Sequence, residues 1–280
     1  MKKIRKLERQ ERLISEINRH PSILIRDLAS MFGVSRETIR RDFDELSSQA
    51  RLHRRYGGAS LSPTGLVLSL ETRKQLLRPE KELVAKLAYE LIGEHEVIML
   101  GSGATIIILA QEIATHNPNI TIITNSLGAA LSVGEANNVR VLLTAGELDH
   151  KEAFLWGHET TEFLDKFTVD ATFLSCDGIT PNGVMEVESR TAWVERAMVR
   201  NSRRTVVLLD HSKFGQTSFE RVCELQDVDE LVSDRPPDNG LSRVLNQAGI
   251  RVHAPSEMVD SDDMDSESNT EPDTSSASSS

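Results

Sequence analysis

Apolar residues near the N-terminus recur at helical spacing and predict three short helices. One side of a helical wheel is apolar over residues 5–18, including Leu7. Residues 26–32 and 36–48 repeat the pattern. Gly33 supplies the tight turn between them, and Ser35 is a good cap for the third helix. Two helices joined in this way are what a helix-turn-helix requires.

Short apolar runs predict a few small strands around these helices. Residues 22–25 form one such run, and residues 52–58 resemble two short strands around a turn. The second feature would be a wing beside the helix-turn-helix.

From Glu80 the pattern changes to buried strand runs that alternate with helical segments. This alternation is typical of an α/β domain with a parallel sheet. The predicted strands are 97–100, 120–124, 139–144, 171–175, 205–209, 230–232 and 250–253. The predicted helices are 80–92, 105–114, 126–136, 188–201 and 239–247.

The predicted fold class is therefore α/β, with an N-terminal winged helix-turn-helix followed by a parallel-sheet domain. We place the small domain at 1–60, a linker or hinge at 61–79 and the α/β domain at 80–254. Residues 255–280 are acidic, rich in serine and poor in bulky apolar groups, so we expect a disordered acidic tail.

Charge is distributed unevenly along the 280 residues, whose formal net charge is −11. Residues 1–60 hold 14 Lys and Arg against 8 Asp and Glu, whereas the tail holds 8 Asp and Glu and no Lys or Arg. A basic head on an acidic body suggests that the head contacts a polyanion. An uneven division of ordinary surface charge is the alternative.

Several classes of protein are disfavoured by composition. No apolar run approaches the roughly 18 residues of a membrane span, and the basic N-terminus lacks the apolar stretch of a secretory signal. The two cysteines and eight histidines show no metal-ligand spacing. We expect a cytoplasmic protein that contacts no membrane and contains no metal or cofactor.

The third predicted helix carries polar and cationic side chains near its N-terminus, where recognition helices meet base edges. Arg40 and Arg41 are suited to phosphates or to guanine, and the basic residues after position 53 would contact the adjacent backbone. The alternative is a capped surface helix whose arginines are solvated or paired with Asp44 or Glu45. The candidate DNA-binding residues are Ser35, Arg36, Glu37, Thr38, Arg40, Arg41, Arg54, Arg55 and Tyr56.

Residues 34–42 (VSRETIRRD) and 52–59 (LHRRYGGA) strongly resemble the DeoR family of bacterial transcriptional regulators. The resemblance implies a winged helix-turn-helix that binds operator DNA. It also implies a C-terminal sensor domain, similar to ribose-5-phosphate isomerase, that binds a phosphorylated sugar or related metabolite. We therefore expect a regulator of a carbohydrate-metabolism operon, with repression favoured over activation. The fold analogy favours a homo-oligomer, a dimer or a tetramer.

A glycine-rich loop between the first strand and helix of the α/β domain is the first candidate effector contact. Gly101, Ser102, Gly103 and Thr105 can present backbone N–H groups and hydroxyls to an anion. The spacing fits neither a dinucleotide fingerprint nor a Walker loop. An ordinary tight turn is the alternative. Relative to the family pattern, Ala104 replaces the first of two threonines.

Polar residues also follow three other predicted strands, at the sheet edge where α/β proteins bind ligands. They include Thr124 and Asn125. Asp177 is a candidate for a sugar hydroxyl, and Lys213 for the effector phosphate. Lys213 lies in a DHSKFG stretch that resembles the family's Asp-x-Ser-Lys-Phe-Gly signature. Asp210 in the same stretch is equally suited to cap a turn or to orient Lys213.

A sugar-phosphate isomerase with an accessory DNA-binding head is the alternative function. Asp177, Glu147 and Lys213 would then supply the base and the electrostatic stabilisation. A DNA-binding head indicates instead that occupancy of the site is the output, so we expect a regulator and not an enzyme. Cys176 is interpreted as a small buried residue and not as a nucleophile.

Overall fold

The structure is a computed structural model, and it describes residues 5–19, 25–48, 52–54 and 66–255. The predicted strand at 22–25 lies almost wholly outside these residues, as do Arg55, Tyr56 and the acidic tail. No helix among the described residues is long and apolar enough to cross a membrane.

The three N-terminal helices are confirmed. They are α1 (Lys6–Arg19), α2 (Ile25–Phe32) and α3 (Arg36–Ser48). Gly33, at φ 62°, makes the turn between α2 and α3 that a side chain would oppose. The helices share a core built from Leu13, Ile14, Leu28, Ala29, Phe32, Ile39, Phe43 and Leu46.

Leu7 was expected on the buried side of α1, but its side chain is 76% exposed. The inner face at this end of the helix is polar instead, because Arg9 and Gln10 are buried there.

The first predicted strand of the wing is present, and it pairs with a strand that the sequence analysis did not predict. Strand β1 (Leu52–Arg54) pairs antiparallel with β2 (Leu66–Leu68), so that Arg54 faces Leu66. The sequence prediction placed the partner near the glycine pair at 57–58, which lies outside the described residues.

The stretch predicted as a linker, 61–79, contains regular structure. A single residue, Ser69, separates β2 from helix α4 (Leu70–Gln75), and it caps the helix by accepting a hydrogen bond from Thr72 N. Leu77 then adopts a left-handed conformation, at φ 50°, and α5 (Arg78–Tyr89) follows. The connector is therefore a folded element between the two halves of the chain.

The C-terminal half contains the predicted α/β alternation. Its main strands are β3 (Val97–Leu100), β4 (Ile120–Thr124), β5 (Val139–Leu143), β8 (Ala171–Ser175), β11 (Thr205–Leu209), β13 (Glu230–Ser233) and β14 (Arg251–His253). Its further helices are α6 (Ala104–His116), α7 (Leu127–Ser132), α8 (His158–Leu164), α9 (Ser189–Arg200) and α10 (Asn239–Gln247). The sequence analysis had not predicted α8.

The seven main strands form one parallel sheet in the order β14-β13-β11-β8-β3-β4-β5. From β3 the chain runs outward through β4 and β5, then returns to place β8 on the other side of β3. The carboxyl ends of β3 and β8 thus flank the switch point, where open α/β sheets bind ligands.

Helices cover both faces of the sheet, and alternate strand residues point to opposite cores. On one face, Ile98 and Leu100 of β3 pack with helices α5 and α6. On the other face, Met99 packs with α9 through Val194 and Ala197. This three-layer arrangement explains why the strand runs are apolar at successive positions.

Two small antiparallel sheets had no clear signal in the sequence. One pairs β6 (Glu147–Asp149) with β7 (Phe154–Trp156). The other has the order β12-β10-β9, formed by Glu220–Cys223, Gly183–Glu186 and Gly178–Thr180. Strands of three or four residues are too short for their alternation to stand out. Both sheets nevertheless shape the site described next.

Candidate functional site

The outer face of α3 presents the predicted DNA-binding residues to solvent. Ser35 caps the helix by accepting a hydrogen bond from Thr38 N at 3.1 Å, and its hydroxyl lies 2.9 Å from that of Thr38. Of the predicted residues on the helix, Arg36, Glu37, Arg40 and Arg41 are exposed and Thr38 is half-buried. Of the predicted wing residues, Arg54 lies on β1, and Arg55 and Tyr56 fall outside the described residues.

Arg41 forms an ion pair with Glu37 at 3.5 Å, one helical turn away. Their side chains are 80% and 61% exposed, so the pair is weak and open to competition by a phosphate. Glu45, one of the partners considered for the arginines, approaches Lys6 of α1 at 2.6 Å.

A buried ion pair fixes α3 against α1. Arg9 donates to both carboxylate oxygens of Asp42, at 2.6 and 3.1 Å, and the Asp42 side chain is only 3% exposed. The sequence analysis did not single out either residue. The sequence did contain a signal for this pair, because the charged Asp42 follows the inward-facing Ile39 by one helical turn and lies beside the inward-facing Phe43.

The second site is a pair of adjoining clefts at the carboxyl ends of β3, β8 and β11. Both clefts are lined by Arg73, Ser175, Cys176 and Asp177. One extends to Ser102, Gly103, Glu152 and Glu186, and the other to Lys81, Thr105, Asp210 and Lys213. Of the eight predicted effector residues, these clefts bring together Ser102, Gly103, Thr105, Asp177 and Lys213.

The glycine-rich loop forms the entrance to α6. Gly103 precedes the helix at φ 112°, a conformation that favours glycine, and Thr105 lies in the first turn. Gly101 is packed beneath the loop, where an added Cβ would lie 3.1 Å from Leu174. The helix N-terminus and its free N–H groups therefore face the cleft, as an anion site requires.

Thr124 and Asn125 line neither cleft, and their polar groups support the surrounding strands. The Thr124 hydroxyl donates to Leu100 O at 2.8 Å and accepts from Ser126 N at 3.0 Å. Asn125 donates to Leu155 O at 3.0 Å. Both residues are almost completely buried.

The signature stretch after β11 is held by the small sheet at β9. Gly215 N donates to Ile179 O at 2.9 Å, which sets the short 3-10 helix of 211–213 beside the β8 end. Lys213 Nζ then lies 3.7 Å from Asp177 Oδ1. Asp210 caps the turn by accepting from Ser212 N at 3.1 Å.

The structure adds two cations that the sequence analysis missed. Lys81 of α5 places Nζ 3.2 Å from Asp210 Oδ2, and Arg73 of α4 forms an ion pair with Glu152. Both lie in segments that the sequence predicted as helix or linker without chemical significance. Lys213 is likewise paired with Asp177, so each of the three cations that line the clefts has a carboxylate partner.

Burial and charge divide the acidic groups that line the clefts or lie beneath them into two sets. Burial opposes ionisation of Asp177 and Asp210, but Lys213 beside the first and Lys81 beside the second hold both pKa values below the usual range. Burial and repulsion by Asp177 raise the pKa of Glu186 and of Glu195 well above normal. Burial likewise lowers the pKa of Lys81.

Burial and neighbouring carboxylates raise the pKa of the Cys176 thiol, which disfavours its use as a nucleophile. Glu147, required by the isomerase alternative, is exposed on β6 and lines neither cleft. Asp177, with its lowered pKa, is a weak base. The geometry thus suits binding of an anion better than proton abstraction.

Comparison with known proteins gives matches over both halves of the chain. Residues 9–64 match the DeoR-like helix-turn-helix domain, and residues 78–235 match the DeoR C-terminal sensor domain. The Escherichia coli glycerol-3-phosphate regulon repressor is 28% identical, over 89% of this chain and 99% of its own. The Haemophilus influenzae L-fucose operon activator is 31% identical, over 86% of this chain and 97% of its own.

Among solved structures, ribose-5-phosphate isomerase A of Methanocaldococcus jannaschii is similar with a TM-score of 0.37. It is 21% identical and covers 49% of this chain and 55% of its own. The two relatives that match over nearly their whole length are transcriptional regulators. They support the interpretation of this chain as a regulator over the enzyme alternative. With a matching helix-turn-helix domain and a matching sensor domain, this chain belongs to the DeoR family of transcriptional regulators.

Proposed function

We propose that the protein is a repressor of a carbohydrate-metabolism operon whose affinity for operator DNA is controlled by a phosphorylated sugar or related metabolite. The metabolite would bind in the paired clefts. The observation that carries the proposal is the convergence of Arg73, Lys81 and Lys213 on the N-terminus of α6. Such a set of cations and free N–H groups is suited to a phosphate.

The DNA-binding part of the proposal rests on α3. The exposed Arg41 has only a weak ion pair with Glu37, so it is available to a phosphate. The inward face of the helix is held on α1 by the Arg9–Asp42 pair. A rigid helix with a cationic outer face is what insertion into the major groove requires. Ser35, Arg36, Glu37, Thr38, Arg40 and Arg41 would approach base edges and phosphates, and Arg54, Arg55 and Tyr56 the backbone.

In the cleft, we assign Lys213 to the effector phosphate and Asp177 to a sugar hydroxyl. Ser102, Gly103 and Thr105 would complete the phosphate cradle, with Gly101 beneath it. Thr124 and Asn125 would act only by holding the strands in place. The working form would be a cytoplasmic homodimer or tetramer that presents two heads to two operator half-sites.

The test is fluorescence anisotropy of the full chain on labelled DNA from upstream of its own coding region, with scrambled DNA as the control. Sugar phosphates, including sn-glycerol 3-phosphate, are titrated into the complex. We expect sequence-selective binding that one compound weakens by at least about fivefold, the lower end of common allosteric couplings.

Lys213→Ala separates the two halves of the proposal. We expect this variant to bind the operator as the wild type does but to lose the response, because the effector phosphate loses its cation. Lys166→Ala, at an exposed site of the same domain, is the matched control and should respond normally. A responsive Lys213→Ala protein would remove Lys213 from the site, and a lack of selective DNA binding would refute the proposed function.

A further inference from the structure

The connector helix α4 touches both functional halves of the molecule. One residue separates it from wing strand β2, and the Leu76 side chain just beyond its end packs against the core of the DNA-binding head. A shift of α4 would therefore be passed directly to the wing and to the helices that support α3.

The same helix is fastened to the sensor domain by one apolar and one charged contact. Leu70 is 6% exposed and packs on Ala104 and Ile107 at the start of α6. Arg73 reaches into the cleft and pairs with Glu152, which lies in the loop between β6 and β7. The Arg73 Nε atom is buried and has no hydrogen-bond partner among the described residues.

A second connection runs from the cleft to the head through Lys81. Its Nζ contacts Asp210 Oδ2 at 3.2 Å and donates to Leu76 O at 2.6 Å. One ammonium group thus joins the carboxylate that caps the Lys213 turn to Leu76, the residue that packs against the head core. Helix α1 of the head also contacts that turn.

An anionic effector entering this cleft meets cations that already have carboxylate partners. An effector group that displaced one of these carboxylates would couple its binding energy to the position of the element that carries the released carboxylate. Arg73 differs from Lys213 in this respect, because its own backbone belongs to the connector and its partner Glu152 belongs to a separate hairpin.

We propose that Arg73 is an effector ligand supplied by the connector, and that its transfer from Glu152 to an anionic group of the effector is the step that reports occupancy to the DNA-binding head. This inference rests on the proposed function and names its regulatory contact. A guanidinium suits the role, since it binds a carboxylate or a phosphate through the same two-pronged geometry. The transfer changes DNA affinity only because the two states of α4 differ in their fit to the effector.

Glu152→Gln tests the proposal without any effector. The substitution keeps the size of the side chain but weakens its hold on Arg73. We expect the operator Kd of this variant to shift by at least about fivefold, in the direction in which saturating effector shifts the wild type. Glu71→Gln, on the exposed side of α4, is the matched control and should leave the operator Kd unchanged.

Arg73→Ala and Arg73→Lys test the ligand role in the full chain, with sn-glycerol 3-phosphate and then the other sugar phosphates as probes. We expect at least about a tenfold loss of probe affinity in calorimetry for Arg73→Ala, as for a lost charged contact. A saturating concentration of the probe should leave the operator Kd of Arg73→Ala unchanged. Arg73→Lys keeps the charge and should recover part of the affinity, and Lys74→Ala is the control on the same helix.

Two results overturn the inference: wild-type operator affinity in Glu152→Gln, or a wild-type response in Arg73→Ala. Failure of the proposed function looks different, since wild-type protein would then ignore every sugar phosphate. In that case a shift in Glu152→Gln still supports a link between the Arg73–Glu152 pair and the DNA-binding head, and its absence rejects that link. Thermal unfolding of each variant excludes a folding defect as the cause.

Discussion

At the scale of single residues, Glu195 is an unusual buried acid. It lies on α9 beneath the glycine-rich loop, is 1% exposed, and has two carboxyl oxygens with no hydrogen-bond partner among the described residues. Burial and repulsion by Asp177 raise its pKa well above normal, so the folded state retains a proton that the unfolded chain releases. The folded protein therefore loses stability as pH rises above the usual range of a glutamate, up to the folded pKa.

Glu195→Gln removes this pH dependence, since the amide stays neutral. We expect the melting temperature of the variant, relative to the wild type, to increase between pH 5 and pH 8. Thermal unfolding monitored by circular dichroism at both pH values measures the difference. Glu162→Gln, at an exposed position on α8, is the control and should track the wild type. A constant offset between Glu195→Gln and wild type would contradict the assigned protonation.

At the scale of elements, the buried Arg9–Asp42 pair joins α3 to α1 beside their shared apolar core. Removing one partner of such a pair commonly costs about 3–5 kcal/mol, because the other charge stays buried without compensation. The exposed Lys6–Glu45 pair joins the same two helices, yet exposed pairs contribute at most about 1 kcal/mol. Of these two ion pairs between α1 and α3, the buried one thus contributes more to holding the recognition helix in place.

Arg9→Ala should lower the opening free energy of α3 amides by about 3 kcal/mol in hydrogen exchange and should abolish selective operator binding. Lys6→Ala is the matched control, with a change of less than about 1 kcal/mol. Replacing both partners by apolar residues, as in Arg9→Met with Asp42→Leu, should restore most of the stability. Equal effects of Arg9→Ala and Lys6→Ala would show that the buried pair does not fix α3.

The sequence predicted the elements whose periodicity is long and regular. The three head helices and strands β3, β4, β8 and β11 were anticipated with bounds within a residue or so. Short elements were missed where no repeat could develop, as in α8 and the small sheets. Arg73 and Lys81 were missed for a different reason: they come from segments distant from the glycine loop, and only the fold of the connector brings them to it.

At the scale of the whole molecule, an oligomer that presents two heads, as proposed, gives each substitution in α3 two consequences, one for each operator half-site. Arg41→Ala should lower operator affinity and make the salt dependence shallower. On duplex DNA, each lost phosphate contact reduces the slope of log K against log salt by about 0.9.

A dimer with Arg41 on phosphate in both half-sites therefore loses about 1.8 from the slope, and a single head loses about 0.9. Anisotropy titrations at several salt concentrations measure the slope, with Lys166→Ala as the control of equal charge change. An unchanged affinity and slope would refute the phosphate contact, and a change of about 0.9 would contradict the paired heads.

The buried thiol of Cys176 can report on opening of the clefts. Cys176 lines both clefts, yet the thiol is almost fully buried and is held in its unreactive, protonated form. Alkylating reagents can reach the sulfur only during excursions in which the cleft opens. The alkylation rate of the Cys176 sulfur therefore measures how often the cleft opens. A bound metabolite that makes opening rarer should lower this rate even in the absence of DNA.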